Sequence, residues 1–186
     1  MDEQDLLYLA SLMFMHDDFG RILLQNDLVF IELAKAFVQF ELREKIEEYV
    51  VQKDIKMIKK RSYILDSLMR TTKRIINIEI ENNPADLIHR IIAHILAIDW
   101  YYSKPGKNYR IKQQIIIIFY CSFDYFKQNL PFYELKLSEY FTGRILKEFP
   151  KVYIVNGKYK GSHPLASLIH DLQCANPNEI KNEVHS

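Results

Sequence analysis

Glycine and cysteine are scarce in this chain of 186 residues. Only five glycines are present, and none lies between Gly20 and Gly106, so the first half has no glycine-rich loop of the kind that cradles phosphates. Two cysteines, Cys121 and Cys174, cannot build a disulfide framework, and a reducing cytoplasm is therefore expected. The six histidines show no metal-ligand spacing with either cysteine, which argues against a zinc site.

Long apolar runs and an excess of one charge are also missing. The longest apolar run, 115–121, is far short of the roughly 20 residues that span a bilayer, and the acidic start at 1–5 is unlike a signal peptide. Lys and Arg number 25 against 24 Asp and Glu, which argues against a highly basic coat protein. With 48% apolar and 26% charged residues, the composition is globular. We expect a cytoplasmic protein without a membrane partner.

The apolar periodicity predicts one α/β domain over residues 1–175, followed by a polar tail at 176–186. Its helical N-terminal region is predicted at 1–50, and a continuous apolar strand at 114–122 indicates burial on both faces. The other predicted elements are strands at 54–60, 62–69, 74–81, 132–137 and 151–155 and helices at 84–102 and 164–172.

Three acids fall on the hairpin that the second and third strands form. Side chains alternate along a strand, so Glu79 and Glu81 share one face with Asn77. A hairpin centred between residues 71 and 72 places Asp66 opposite Asn77 and diagonal to Glu79, with Cα atoms roughly 7–8 Å apart. The opposite face carries isoleucines and is predicted to be core.

The acidic face has two interpretations. Three clustered carboxylates repel one another unless a cation compensates them, and all-oxygen ligands suit Mg²⁺ or Mn²⁺. Such an ion lowers the pKa of bound water and stabilises charge on a phosphate. Acids on the solvent-facing side of an edge hairpin are common, however, and then have no function.

The order and spacing of several short motifs resemble a known family. An Asp, twelve residues and then Glu-x-Glu resembles the core of PD-(D/E)XK nucleases, and more narrowly the recombination-promoting nuclease / putative transposase family. The match covers about residues 15–175. Its motifs are Phe19-Gly20-Arg21, Leu65-Asp66, Asn77-Ile78-Glu79-Ile80-Glu81, Arg90, Asp99, Gly106-Lys107-Asn108-Tyr109, the segment 116–126, Leu130-Pro131-Phe132-Tyr133 and Val155-Asn156-Gly157.

The resemblance implies a restriction-endonuclease-like α/β core, with a mixed central sheet flanked by helices. It implies an Mg²⁺-dependent endodeoxyribonuclease, with Mn²⁺ as the alternative metal, that acts in recombination or transposon-related DNA processing. Asp66, Glu79 and the main-chain carbonyl of Ile80 would hold the metal, and Glu81 would position or activate water. DNA is the implied partner, and by analogy the chain forms a homodimer.

Some positions depart from the pattern. Glu81 occupies a position that is normally Lys in the superfamily and Gln in the family, Ile64 replaces an Arg, and Ala93 and His94 replace a Tyr pair. The alternative is therefore a catalytically inactive DNA- or protein-binding module with the same fold. A plain structural domain would require Asp66 to point away from Glu79.

A basic segment supplies candidate DNA contacts. Eight Lys or Arg stand against two Asp within residues 53–74, enough to track a phosphate backbone or merely to solvate a strand edge. One helical turn separates Arg90 from His94, so both face one way, towards a phosphate or simply on the helix surface. The candidates are Lys59, Lys60, Arg61, Lys73, Arg74, Arg90 and His94.

Overall fold

The computed structural model describes residues 24–38, 44–56, 62–103 and 111–173. Within these ranges the chain forms three helices and six strands. In chain order they are α1 (Asp27–Lys35), β1 (Ile46–Lys56), β2 (Ser62–Thr71), β3 (Arg74–Glu81), α2 (Leu87–Tyr102), β4 (Gln114–Cys121), β5 (Phe132–Leu135), β6 (Lys151–Asn156) and α3 (Ala166–Asp171).

The six strands form one mixed sheet in the order β1-β2-β3-β4-β6-β5. The first three strands are antiparallel neighbours, β3, β4 and β6 run parallel, and β5 returns antiparallel to β6. The parallel step from β3 to β4 needs a crossover, which α2 provides. The described part of the chain is therefore an α/β structure in which β3 and β4 are interior strands.

Helices cover both faces of the sheet. The apolar side chains of α1 and α3 pack on the face that carries Ile76, Ile78 and Ile80, and those of α2 pack on the opposite face with Ile75. Burial of an aliphatic side chain of this size stabilises the fold by about 1.5–3 kcal/mol. The Asn26 side chain accepts a hydrogen bond from the main-chain N–H of Leu28 and so caps α1.

The α/β class and most predicted elements are confirmed. The third predicted strand has the observed bounds, β4 is buried along nearly its whole length, and α2 ends where predicted. The main error is in the predicted helical region 1–50, because residues 46–50 belong to β1. β1 is an edge strand of the described sheet, with a strand partner on one side only. The charged side chains of this stretch therefore lie on a solvent-exposed strand rather than on a helix surface. The rest of the predicted strand 54–60, beyond Lys56, and the tail 176–186 lie outside the described residues.

The hairpin register also differs from the prediction. The observed turn is Thr72-Lys73, so Leu68 lies opposite Asn77 and Ser67 opposite Ile78. The hydroxyl of Thr71 accepts hydrogen bonds from the main-chain N–H groups of Lys73 and Arg74, which closes a tighter turn than expected. The shift is two residues, so every side chain keeps its predicted face and Asp66 moves closer to Glu79.

None of the described helices is long and apolar enough to cross a membrane.

Candidate active site

Three carboxylates meet where β3 ends, on the face that α2 covers. Asp66 is 5% exposed, Glu79 6% and Glu81 9%. The sequence predicted their common face correctly but not its burial, because the expected hairpin was a free edge and β3 is instead flanked by β2 and β4. Buried acids are rare unless they are paired, so the partners of each carboxylate define the site.

The Asp66 side chain takes the place of a main-chain hydrogen bond between β2 and β3. The last paired residues of β2 and β3 are Ser67 and Ile78. Beyond them, the Asp66 carboxylate accepts a hydrogen bond from the main-chain N–H of Ile80 at 3.0 Å, and its own N–H donates to Glu79 Oε1 at 3.0 Å. The N–H and C=O of one strand residue point to the same side, so the Ile80 carbonyl also faces Asp66.

Gln52 on β1 is a site residue that the sequence reasoning missed. Its side-chain Nε2 donates to Asp66 Oδ1 at 3.1 Å. Gln52 has φ 51°, a left-handed conformation that is uncommon for a residue other than glycine. It lies between the paired residues Val51 and Lys53, opposite Asp66. No sequence pattern indicates this conformation.

Glu79 is held by neighbours on two elements. Asn77 Nδ2 donates to Glu79 Oε1 at 2.6 Å, and His94 Nδ1 of α2 lies 3.4 Å from the same oxygen. Burial raises the pKa of Glu79, and the nearby Asp66 carboxylate raises it further, while His94 and Asn77 oppose the shift. The net effect is a raised pKa, as expected for an acid among other acids in a dry site.

His94 belongs to the inward stripe of α2 and contacts the ring of Phe119 edge-on at 5.4 Å. Burial alone would lower the pKa of His94, but the Glu79, Asp66 and Glu81 carboxylates outweigh it and the pKa is raised. Nδ1 is buried, and the Glu79 carboxylate 3.4 Å away is the charged group nearest to it among the contacts of the described residues. His94 thus contacts a site carboxylate, and its role as a phosphate contact stays a prediction.

Glu81 is bound by the loop between β3 and α2 and by Arg90. Its Oε1 accepts the main-chain N–H of Asn83 at 2.7 Å, and its Oε2 lies 3.1 Å from Arg90 Nη2. Arg90 and His94 do face the same way, as the helical spacing predicted, and both meet the acids of β3. Arg90 thus reaches a carboxylate, although it was predicted as a DNA contact.

The two other basic candidates that the structure describes, Lys73 and Arg74, lie at the opposite end of β3. Lys73 lies in the hairpin turn, and Arg74 pairs with Glu44. Arg74 begins β3 and Glu81 ends it, a separation of roughly 23 Å at 3.3 Å per residue. Lys59, Lys60 and Arg61 lie outside the described residues.

The donor set at this site suits a hard cation. Asp66 and Glu79 bring carboxylate oxygens to neighbouring positions of β2 and β3, and oxygen is the ligand that Mg²⁺ or Mn²⁺ prefers. Among the described residues, no three His, Cys, Asp or Glu side chains are grouped in a way that would hold a metal. A cation at this site would therefore be held by the Asp66 and Glu79 side chains and one main-chain oxygen.

Two neighbouring polar features are structural. The Asp124 carboxylate accepts the Tyr133 hydroxyl at 2.6 Å and two main-chain N–H groups, which fixes the loop after β4. Burial, then the Glu81 charge, raises the pKa of the Cys121 thiol, so Cys121 is a buried thiol with a structural role rather than a nucleophile.

No protein-family model, curated protein or solved structure matches this chain.

Proposed function

We propose that this protein is a metal-dependent DNA endonuclease of the PD-(D/E)XK type, acting in recombination or transposon-related DNA processing. One observation carries the proposal: where the pairing of β2 and β3 ends, the main-chain N–H of Asp66 donates to the Glu79 carboxylate and the Asp66 carboxylate accepts the N–H of Ile80. The Asp66 carboxylate is close enough to Glu79 to raise its pKa, which supports this proposal over a plain structural domain.

The proposed chemistry follows from the roles that these side chains can take. Asp66, Glu79 and the Ile80 carbonyl would hold Mg²⁺ or Mn²⁺, which supplies a bound water of lowered pKa and neutralises charge on a phosphodiester. Asn77 and His94 keep the Glu79 carboxylate turned towards Asp66. Glu81 is the base in this proposal, and it accepts a proton from the attacking water.

Burial defines how the site would engage its substrate. The three carboxylates are less than 10% exposed and α2 covers their face, so substrate would have to reach them past the end of β3. The scissile phosphate would therefore approach along the β3–α2 loop. DNA is the proposed substrate, and the homodimer remains a prediction that light scattering would test.

The second candidate is an inactive DNA- or protein-binding module with the same core. The contact between Glu81 and Arg90 favours it, because an acid held by a guanidinium is less free to accept a proton. The position occupied by Glu81 usually carries Lys or Gln in the proteins that the chain resembles, which points the same way.

A nicking assay distinguishes the two candidates. Purified protein is incubated with supercoiled plasmid in Mg²⁺, Mn²⁺ or EDTA, beside the variants Glu79→Ala and Glu148→Ala. Glu148 is an exposed acid at the other end of the sheet and serves as the matched control. The nuclease proposal expects metal-dependent nicking that Glu79→Ala abolishes and Glu148→Ala preserves. Folded protein that shifts DNA in a gel but never cuts supports the binding module.

A further inference from the structure

Arg90 connects the first turn of α2 to the end of β3. Its Nη2 donates to the main-chain carbonyl of Ala85 at 2.8 Å and to that of Asn83, and lies 3.1 Å from Glu81 Oε2. Its main-chain N–H donates to the carbonyl of Asp86 at 2.9 Å, which begins the helix. The guanidinium is therefore held by the loop as well as by the acid.

The loop holds Glu81 from the other side. Glu81 Oε1 accepts the N–H of Asn83, and Asn83 Oδ1 accepts the N–H of Ala85. The carboxylate and the guanidinium are thus attached to the same three-residue segment, and the position of one determines that of the other. The fixed fork of an arginine suits this multiple attachment better than the single ammonium of a lysine.

The charge and exposure of Arg90 indicate whether it stabilises the fold or orients Glu81. Three buried acids lie at the end of β3, so a cation beside Glu81 offsets their repulsion. The Arg90 side chain is 35% exposed, and an ion pair with that much solvent access adds little to stability. The main effect of the Arg90–Glu81 ion pair is therefore to orient the Glu81 carboxylate, since each of its oxygens has a defined neighbour.

We propose that Arg90 is a positioning residue, which orients the Glu81 carboxylate towards the water at the site and does not itself grip DNA. This inference rests on the proposed nuclease function. It assigns to Arg90 a role different from the phosphate contact that its sequence position predicted.

The test compares Arg90→Gln and Arg90→Lys with the wild-type protein and with Arg144→Gln. Arg144 is exposed on the turn between β5 and β6 and is the control for loss of a surface arginine. Three quantities are measured for each protein: the single-turnover nicking rate at saturating DNA, the salt dependence of metal-free DNA binding by fluorescence anisotropy, and the thermal unfolding midpoint.

The expected result for Arg90→Gln is a rate about ten- to a hundredfold lower, because a displaced catalytic group loses reactive geometry. The salt slope of DNA binding stays at the wild-type value. The nicking rate of Arg90→Lys falls between those of the wild type and Arg90→Gln, because lysine keeps the charge but not the forked guanidinium. Arg144→Gln cuts at the wild-type rate. If Arg90→Gln does not fold, an intermediate rate in folded Arg90→Lys with an unchanged slope supports the same role.

Two outcomes overturn the inference. The first is a plot of log DNA affinity against log salt concentration whose slope is smaller by about one, with a wild-type nicking rate at saturating DNA; it would show a direct phosphate contact. A wild-type rate in folded Arg90 variants would show that the guanidinium only fastens the loop. Wild-type protein that fails to cut in every metal refutes the nuclease proposal itself and is recognised before any Arg90 variant is measured.

Discussion

Replacing Asp66 separates its structural role from its proposed catalytic role. In the folded protein its carboxylate accepts the Ile80 N–H and the Gln52 side-chain N–H. Asp66→Asn keeps both contacts, since the new amide oxygen can face Ile80 and the Gln52 amide can turn its oxygen towards the new NH₂ group. Asp66→Ala keeps neither.

The stability difference between the two variants follows from those contacts. Ile80 is 7% exposed, so Asp66→Ala leaves a buried N–H without a partner and should lower the free energy of unfolding by about 1–3 kcal/mol. Asp66→Asn should stay within about 1 kcal/mol of wild type, because it also removes a negative charge that raises the pKa of Glu79. Both variants should lose metal-dependent nicking.

Urea unfolding followed by circular dichroism measures the first effect, and plasmid nicking measures the second. Equal destabilisation of Asp66→Asn and Asp66→Ala would refute the hydrogen bond to Ile80 as the structural role of this carboxylate. A wild-type nicking rate in Asp66→Asn would refute its part in metal binding, since an amide is a poor replacement for a carboxylate on Mg²⁺.

Three further results are expected. The pKa of both Glu79 and His94 is raised, so the unfolding free energy should fall as the pH rises above 4.5, the ordinary pKa of Glu, and fall further above 6.5, that of His. Glu79→Gln should flatten this slope in urea titrations, whereas the exposed-site control His89→Gln should not. Gly157→Ala would place a Cβ 2.3 Å from the Cys121 carbonyl oxygen and should lower stability by about 1–3 kcal/mol in the same assay, whereas wild-type stability would contradict the close approach. Iodoacetamide should label Cys121 only in denaturant, and mass spectrometry showing rapid native labelling would contradict its burial.

The faces of the hairpin were predictable although its register was not. A strand alternates with period two, so Glu79 and Glu81 share a face in any register, and a shift of two residues left Asp66 with them. The turn lacked an Asn-Gly or Asp-Gly pair that would have placed it. The hydroxyl of Thr71, which accepts two N–H groups, decided where the chain reverses.

The start of the sheet was not predictable from local pattern. Residues 46–50 carry mixed charges that suit a helix surface or an edge strand equally, and pairing with β2 decided for the strand. The left-handed backbone of Gln52 lies within the same paired stretch. Such conformations depend on a neighbouring strand, so a single sequence does not show them.

The amino-acid sequence by itself determined the α/β class, most element boundaries and the side of β3 on which the acids lie, because these follow from side-chain periodicity. Only the tertiary structure decided that this side is buried under α2. It also decided that Gln52 contacts Asp66, that His94 contacts Glu79 and that Arg90 faces Glu81. Those contacts join residues from different elements, and their distances are set by how helix and sheet pack, which periodicity does not encode.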